Sequence, residues 1–319
     1  MLCAFTLKNG RLDRLHIEPG ADLRVLAPVW IDIYAASAEE VQSIERVFDV
    51  HLPSPEHLRD IEASARFYEH ESKLHLRSDF LSGTESHAHS VAVAFVLAGE
   101  TLISIHEEDL PIFRLLRIRL HAESGLIENC RDVLVDLYGM DVEFSADALE
   151  KVYADLGRVS QGVLGETLSD RQAREALAGI AHAEHVNGRI RRNVMDTRRA
   201  LSFLVRAKSL NAAQIDEVRQ IQTDIDSLDG HTSFLFDKIN FLMDAVIGFI
   251  NINQNKIVRM FTVVSAALLP PTLIASIYGM NFQLMPELQW RMGYPFALLL
   301  MVLSVGIPFW IFWRKGWLK

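Results

Sequence analysis

The stretch IYGMNF, Ile277–Phe282, stands where an uncharged interval of the chain ends. No Asp, Glu, Lys or Arg occurs between Arg259 and Glu287. That interval is longer than the roughly 20 residues that a helix needs to cross a bilayer. Glycine breaks helices and asparagine is poorly tolerated in hydrocarbon, so a Gly-Met-Asn triplet at this border needs a physical reason.

A second uncharged interval lies between Arg291 and Arg314. Two apolar stretches so close together predict a helical hairpin in a membrane, because each is long enough to span the hydrocarbon core. We predict a first transmembrane helix at 256–281, an outer loop at 282–293 and a second transmembrane helix at 294–313.

Positive charge flanks the two outer ends of the predicted hairpin. Lys256 and Arg259 lie at the start of the first span, and a basic tail at 314–319 follows the second. By the positive-inside rule, this pattern predicts cytosolic termini and a connecting loop outside the cell. Three tryptophans fit an interfacial aromatic belt at the inner border, namely Trp310, Trp313 and Trp317.

The composition opposes several classes of protein. The 319 residues carry a formal net charge of −9, whereas nucleic-acid binders usually show a basic face, so no nucleic acid is expected as a partner. The two cysteines, Cys3 and Cys130, lack a metal-ligand spacing and indicate free thiols in a reducing compartment. The first residues lack the apolar core of a signal peptide, so we expect the chain to begin in the cytosol. The sequence shows no Gly-rich phosphate loop or nucleophile elbow, which opposes a hydrolase or an ATP-driven pump.

Residues 1–145 mix short β-like runs with helical ones, which predicts a cytosolic α/β domain. A serine start, early acids and helical periodicity predict helices at 37–48 and 54–65. Strands are predicted from apolar runs, namely CAFTL, VWIDIY, KLHLRSDFL, VAVAFVL and TLISI.

Helix formers dominate residues 146–255, which are predicted as cytosolic helices that include a long stalk helix. From near Ala212 to near Gly279, apolar residues keep helical spacing with no proline before Pro270. One helix over that interval would be about 100 Å long at about 1.5 Å per residue, and would carry a signal from cytosol to membrane. Its weak point is Gly230, because glycine inside a helix costs roughly 1 kcal/mol.

Small polar side chains form a stripe along the first predicted span, interrupted by Val258 and Leu269. The polar members recur at helical steps: Asn255, Thr262, Ser265, Thr272 and Ser276. One interpretation is that Ser and Thr bond their own helix backbone and aid packing. The other is a water-facing surface, which requires several copies around an axis because one hairpin cannot enclose water.

The pair Pro270-Pro271 supports the water-facing interpretation. Proline inside a helix frees carbonyl groups one turn earlier, here those of Ala266 and Ala267. Unpaired carbonyls at membrane depth are tolerated only inside protein or against a water-filled cavity.

The motifs around both spans resemble those of a known family. YGMNF followed by MPELQW and GYP resembles the CorA family of magnesium channels, and DIEASARF, MDTRRALSFLVR, NFLMDAVIGFINI and LPPTLIASIYGMNF are similar to the pattern of its proteobacterial members. The likeness covers essentially the whole chain. It implies a funnel-shaped homopentamer in the bacterial inner membrane, with a cytosolic α/β domain, long stalk helices and a central pore. It also implies Mg²⁺ as the main cargo, with Co²⁺ and Ni²⁺ as others, and influx driven by the membrane potential without enzyme chemistry.

The resemblance implies that Gly279, Met280 and Asn281 form a selectivity filter. Mg²⁺ sheds its waters reluctantly, so a ring of Asn281 oxygens, one per subunit, would hydrogen-bond the first-shell waters and hold the hydrated ion. Gly279 would let the backbone approach and add carbonyl groups, and Met280 would pack against neighbours. A helix C-cap with glycine at the helix end is the structural alternative, and it is compatible with a filter.

Other pore positions of the family are implied at matching residues. Asn255 and Thr272 are implied as polar rings. Glu287 in the outer loop would concentrate cations at the mouth, with an ordinary solvated side chain as the alternative. An apolar constriction, which can close by dewetting, is implied at Val258, Phe261 and Leu269.

The family holds its channel shut through acidic Mg²⁺ sites between subunits. The predicted stalk between Asn211 and Gly230 is rich in Asp and Glu, but the stalk aspartate of the family aligns near Gln220. Asp224 and Asp226 lie nearby and are the candidates for a regulatory site. The alternative is an ordinary solvated acidic face.

Two other functions stay open at this stage. A relative of the family carries Zn²⁺ coupled to protons, although the MPEL sequence favours the magnesium branch. A membrane-tethered sensor without a pore would need neither a polar stripe nor a filter. Two histidine pairs could bind zinc, His182 with His185 and His87 with His89, but neither is followed by a third ligand of fitting spacing, so surface or packing roles are expected.

Overall fold

The structure is a computed structural model of the full 319-residue chain. It describes every residue outside seven short segments, and the predicted helix at 54–65 and the residues Glu287 and His87 fall in those segments. The segments outside the description are 16–22, 54–65, 84–88, 166–167, 282–284, 287–289 and 317–319.

The chain divides into two compact units. One unit contains residues 1–165 and 174–243, and the other contains residues 166–173 and 244–319.

A mixed sheet of seven strands forms the centre of the first unit, in the order β2-β1-β3-β7-β6-β5-β4. Strands β3 and β7 run parallel, with Ile31 opposite Ile103, and the other neighbours in the sheet are antiparallel. All five strand predictions are confirmed. The strands are β1 Leu2–Lys8, β2 Arg11–Leu15, β3 Trp30–Tyr34, β4 Phe67–His70, β5 Lys73–Ser82, β6 His89–Ala98 and β7 Thr101–His106.

Helices account for most of the remaining described chain. They are α1 Leu23–Leu26, α2 Ala38–Phe48, α3 Pro111–Ala122, α4 Cys130–Val163, α5 Asp170–Arg206, α6 Ala212–Tyr278 and α7 Gly293–Arg314. The predicted helix at 37–48 is confirmed as α2. Its capping box is complete, because Ser37 Oγ accepts from the Glu40 backbone N–H at 3.3 Å and Glu40 Oε2 accepts from the Ser37 N–H at 3.0 Å.

Aromatic side chains join the sheet to α3 and α4. The ring of Phe80 on β5 lies 5.7 Å from that of Phe113 on α3 and 5.8 Å from that of Tyr138 on α4. The Tyr138 hydroxyl also hydrogen-bonds Ser78 Oγ at 2.9 Å. Burying large rings against a sheet supplies most of the folding energy of such a layer, so the first half of α4 belongs to the sheet core.

The chain changes from mixed α/β structure to purely helical structure at an earlier position than the predicted boundary between 145 and 146. The last described strand ends at His106, and helix α4 runs without a break through the predicted boundary between 145 and 146. Val133, Leu137 and Tyr138 on its first half are fully buried. The helix therefore starts as a cover of the sheet and continues past it.

The predicted single long helix is confirmed as α6, which contains 67 residues and continues through Gly230. Both α6 and α7 are long and apolar enough to cross a membrane, and only 6% of the most apolar 18-residue window of each is buried within the chain. A core helix of a soluble protein would be mostly buried, so this exposure favours two membrane spans.

Candidate pore-lining surface

The polar residues of the predicted pore lie on one exposed face of α6. At 100° per residue, Asn255, Val258, Phe261, Leu269 and Thr272 fall within an arc of about 120° around the helix axis. All five are exposed, the three apolar ones by 61%, 66% and 67%. The structure therefore brings the residues of the predicted polar rings and constriction to a common face.

The opposite face of the same helix is partly covered within the chain. Val263 is only 8% exposed, and the partly covered residues that follow it lie on the same side as Val263. These partly covered residues are Ala266, Ala267, Pro270, Pro271, Ile274 and Tyr278. A helix with one covered face and one open face that carries polar groups is suited to line a water-filled space once several copies assemble.

The two threonines of the stripe hydrogen-bond their own helix. Thr262 Oγ1 donates to the carbonyl oxygen of Val258 at 2.8 Å, and Thr272 Oγ1 donates to that of Leu268 at 2.7 Å. The backbone-bonding interpretation is correct for these two residues. It does not exclude contact with water, because a hydroxyl whose proton is used still has oxygen lone pairs that accept hydrogen bonds.

The end of α6 explains the glycine of the Gly-Met-Asn triplet. The helix ends at Tyr278, and the Gly279 N–H donates to the Ala275 carbonyl oxygen at 2.9 Å. A Cβ at Gly279 would lie 3.1 Å from that same oxygen, tighter than most real Cβ contacts. Gly279 therefore provides room for close backbone approach.

The C-cap interpretation needs a correction. A glycine C-cap uses a left-handed backbone with positive φ, and Gly279 does not have one. The Met280 N–H donates to the Ile277 carbonyl oxygen at 3.3 Å, so the last turn tightens from the α to the 3₁₀ pattern. Asn281 follows as an exposed residue, and Met280 is 46% exposed within the chain.

Asp224 and Asp226 do not form a common site within the chain. Two residues that are two positions apart on a helix are rotated by about 200° around its axis, so their side chains point to nearly opposite sides. Asp226 Oδ1 accepts an ion-pair hydrogen bond from Arg198 of α5 at 2.8 Å, whereas Asp224 receives only a long contact of 3.4 Å from Gln220 Nε2. Of the two, Asp224 is the one without an arginine partner in the described chain.

Asp224 lies in a groove between α4 and α6 that we call the acidic groove. Its cavity measures about 460 Å³, and its charged lining consists of Arg119 and four carboxylates, those of Asp136, Glu143, Glu217 and Asp224. The sequence gives no reason to associate Asp136 and Glu143 with the stalk residues, because these two carboxylates lie on α4, far away along the chain. Helical spacing on α4 alone gave no signal for this arrangement.

Burial and like charge both act on the carboxylates of the acidic groove. Burial, followed by the charge of Glu217, raises the pKa of Asp136 to about 6. Burial, followed by the charge of Asp132, raises the pKa of Glu217 as well. Groups with raised pKa values carry negative charge that their surroundings do not fully stabilise, and a cation placed in the groove would relieve this.

Nowhere in the described residues, the acidic groove included, are metal-ligating side chains gathered closely enough to hold a metal ion within one copy of the chain. Across that part of the chain, no group of three or more His, Cys, Asp and Glu residues is placed to hold a metal ion. His182 lines a small cavity of about 100 Å³ with Asp147 and Asp155. The two cysteines are free and buried.

Comparison with known proteins gives matches along the whole chain. The family model of the CorA-like Mg²⁺ transporter protein matches residues 26–315. The magnesium transport protein CorA of Escherichia coli strain K12 is 42% identical over 319 residues, which cover 100% of both chains. The same protein of Salmonella typhimurium strain LT2 is also 42% identical over 319 residues, again covering 100% of both chains. Among solved structures, the CorA magnesium transporter from Methanocaldococcus jannaschii matches with a TM-score of 0.80 at 18% identity, covering 99% of this chain and 98% of that one.

Proposed function

Because this chain belongs to the CorA-like Mg²⁺ transporter family, we propose that it is a membrane channel through which Mg²⁺ enters the cell. The observation that carries the proposal is the open face of α6. It presents polar and apolar rings in a single arc, with Gly279 and Asn281 at its end. A membrane-tethered sensor without a pore would not need such a face.

The channel is a homopentamer in the bacterial inner membrane. A single hairpin of α6 and α7 cannot enclose water, so the open face of α6 must meet copies of itself around a central axis. The basic flanks of the spans support a topology with both termini in the cytosol and the outer loop outside. In this arrangement the outer loop, whose sequence includes Glu287, would lie at the outer mouth, where the charge of that residue would concentrate cations.

Selection acts on the hydrated ion. Mg²⁺ keeps its waters, and a ring of Asn281 amide oxygens accepts hydrogen bonds from those waters without having to replace them. Neutral amides suit a filter because carboxylates would hold a divalent cation too tightly to release it. The tight approach of Gly279 to the Ala275 carbonyl oxygen sets the backbone position from which Asn281 leaves the helix. Co²⁺ and Ni²⁺ form similarly hydrated divalent ions and are further cargo.

The membrane potential drives influx, with no enzyme chemistry. A divalent cation that moves down a potential of about 100 mV gains about 4.6 kcal/mol, twice the value for one charge. Closure is provided by the apolar side chains of Val258, Phe261 and Leu269, which expel water when they approach one another. Intracellular Mg²⁺ holds the closed state by binding at acidic sites of the stalk, where Asp224 is the better placed of the two candidates.

The test is Mg²⁺ uptake by purified protein in liposomes with an imposed inside-negative potential. We expect Asn281→Ala to reduce uptake at least tenfold. The matched control is Gln42→Ala, which removes an exposed amide from α2 and should leave uptake unchanged. Uptake that Asn281→Ala does not alter would contradict the filter and favour a sensor without a pore. Uptake of Zn²⁺ but not Mg²⁺, dependent on a pH gradient, would favour proton-coupled zinc transport.

A further inference from the structure

A second charged groove lies between α5 and α6, and we call it the basic groove. Its cavity measures about 840 Å³ and is lined by four arginines, Arg198, Arg199 and Arg206 from α5 and Arg219 from α6. No carboxylate is among the described residues that line it. Apolar side chains of Phe67, Val205 and Ile215 complete its walls.

The four arginines differ in the ion pairs that they form. Arg198 binds Asp226 at 2.8 Å, and Arg219 binds Asp216 three residues earlier at 2.7 Å. Arg199 and Arg206 are exposed, and neither has an ion-pair partner within the described chain. Arg199 also interacts electrostatically with Asp196, a carboxylate that Arg66 binds at 2.9 Å. The basic groove therefore presents an excess of positive charge to its surroundings.

The acidic and basic grooves lie on opposite sides of α6. The α6 residues of the acidic groove, such as Glu217, Ile221 and Asp224, recur at three and four residue steps on one face. Those of the basic groove, Ile215, Arg219 and Gln222, fall about 180° away around the same helix. Between the two faces, Val218 and Ile225 are fully buried.

We propose that the basic groove of one subunit docks on the acidic groove of the next, so that Arg199 and Arg206 pair with Glu143 and Glu217 around the ring and Asp224 stays available to a cation. The proposal rests on the homo-oligomer of the proposed function and names the surfaces that join its cytosolic parts. A ring needs a heterologous contact, in which one patch of a subunit meets a different patch of its neighbour. Two complementary patches on opposite sides of one helix meet this requirement.

The charges of the two grooves indicate a second copy as the occupant. Four carboxylates face a single arginine in the acidic groove, while four arginines line the basic one. Each groove therefore has the opposite excess charge to the other, and both occur on every copy of the chain. Complementary potentials of this kind fix the register of an interface and suppress wrong pairings.

The first test reverses charge in the full-length protein in detergent. The double variant Arg199→Glu and Arg206→Glu should lower the fraction of complete oligomer by at least fivefold, measured by light-scattering mass at low protein concentration. The control is Arg11→Glu with Arg46→Glu, two exposed arginines on β2 and α2 that should leave the mass unchanged. Adding Glu143→Arg and Glu217→Arg to the first variant should restore the oligomer, because the pairs then re-form with reversed sign.

The second test locates the contact by cross-linking. The double variant Arg206→Cys and Asp224→Cys should give, on mild oxidation, a ladder of covalent species up to the full oligomer. Each single variant should give no ladder, since the native Cys3 and Cys130 are buried. A ladder in the double variant supports head-to-tail docking of the grooves.

Clear outcomes separate this proposal from the channel function. An oligomer that survives charge reversal and gives no ladder would overturn the docking, whether or not Mg²⁺ uptake persists. Loss of inorganic phosphate or polyphosphate binding on charge reversal, with an unchanged oligomer, would show instead that the basic groove is an anion site and would also overturn it. An oligomer that behaves as expected but carries no Mg²⁺ would contradict the channel function and leave the docking supported.

Discussion

The hydroxyl of Thr272 donates a hydrogen bond of 2.7 Å to the carbonyl oxygen of Leu268, one turn earlier in α6. This bond fixes the side chain on the exposed face and leaves the oxygen lone pairs free to accept from water. Thr272 can therefore interact with the shell of a hydrated cation even though its proton is used within the helix.

Thr272→Val should lower Mg²⁺ uptake while leaving the fold intact. The change keeps the shape of the side chain and removes one acceptor for water in each subunit. A hydrogen bond contributes about 1 kcal/mol, so the loss of one such contact corresponds to a decrease of about fivefold. The measurement is initial uptake in liposomes at matched protein density.

The control for that experiment is Ser304→Ala on α7. Ser304 Oγ also donates to its own helix, to the Met301 carbonyl oxygen at 2.8 Å, but it lies on α7 and so does not belong to the open face of α6. Equal effects of Thr272→Val and Ser304→Ala would mean that the hydroxyls act only on helix stability.

Gly279→Ala should impair conduction far more than it impairs folding. The new methyl group would lie 3.1 Å from the Ala275 carbonyl oxygen, so the end of α6 must shift by a few tenths of an ångström. Such a shift would move Asn281, the residue of the proposed filter. We expect uptake to fall by at least tenfold while the oligomer mass stays unchanged.

Gly306→Ala provides the comparison, because a Cβ at Gly306 meets nothing within 4 Å. Alanine is the better helix former by about 1 kcal/mol, so this variant should be as stable as the parent or more stable. If Gly279→Ala conducted as well as Gly306→Ala, close backbone approach at the triplet would be unimportant.

Apolar length and helical spacing are the features that sequence reasoning handled well. Both spans and the continuity of α6 through Gly230 follow from local signals, since a long uncharged run or a helix without proline is visible within one segment. The capping box at Ser37 is equally local. These predictions needed no knowledge of what packs against each element.

Contacts between distant segments could not be predicted. Asp136 and Asp224 line one groove only because α4 and α6 pack side by side, and no periodicity within either helix indicates that. Asp224 and Asp226 are equivalent candidates in the sequence, and only the structure shows that Arg198 pairs with Asp226. The reason for glycine at position 279 could not be read from the sequence either. Close approach to a carbonyl oxygen and a left-handed helix cap both favour glycine, and only the structure distinguishes them.

Asp141 should contribute to a decrease in the free energy of unfolding as pH rises from about 4 to about 7. It is fully buried and accepts hydrogen bonds of 2.9 Å from Asn193 Nδ2 and from Thr197 Oγ1. Burial raises its pKa from 3.8 to about 7, although these bonds oppose the shift. The folded state therefore holds a proton that the unfolded state has lost in this range, and acidification from pH 7 to pH 5 stabilises this site.

Thermal unfolding of the detergent-solubilised protein at pH 5, 6 and 7 measures this effect. Asp141→Asn removes the titrating group, so its midpoint should rise less on acidification than that of the parent. Asp147→Asn, an exposed residue on the same helix, should keep the parental pH dependence. A parent and an Asp141→Asn variant with the same pH dependence would show that Asp141 does not titrate in this range.

Asp224→Asn should weaken inhibition of the channel by intracellular Mg²⁺, whereas Asp226→Asn should not. The two side chains lie two residues apart, but Asp226 is held by Arg198 at 2.8 Å and Asp224 faces the acidic groove with three other carboxylates. Removing one of four negative charges lowers the attraction of the groove for a divalent cation, so more Mg²⁺ is needed to close the channel. The measurement is uptake against internal Mg²⁺ concentration, and the half-inhibitory concentration should rise severalfold for Asp224→Asn alone. Equal shifts in both variants would indicate a general effect of stalk charge, and a shift confined to Asp226→Asn would place the sensing group on the α5 side of the helix.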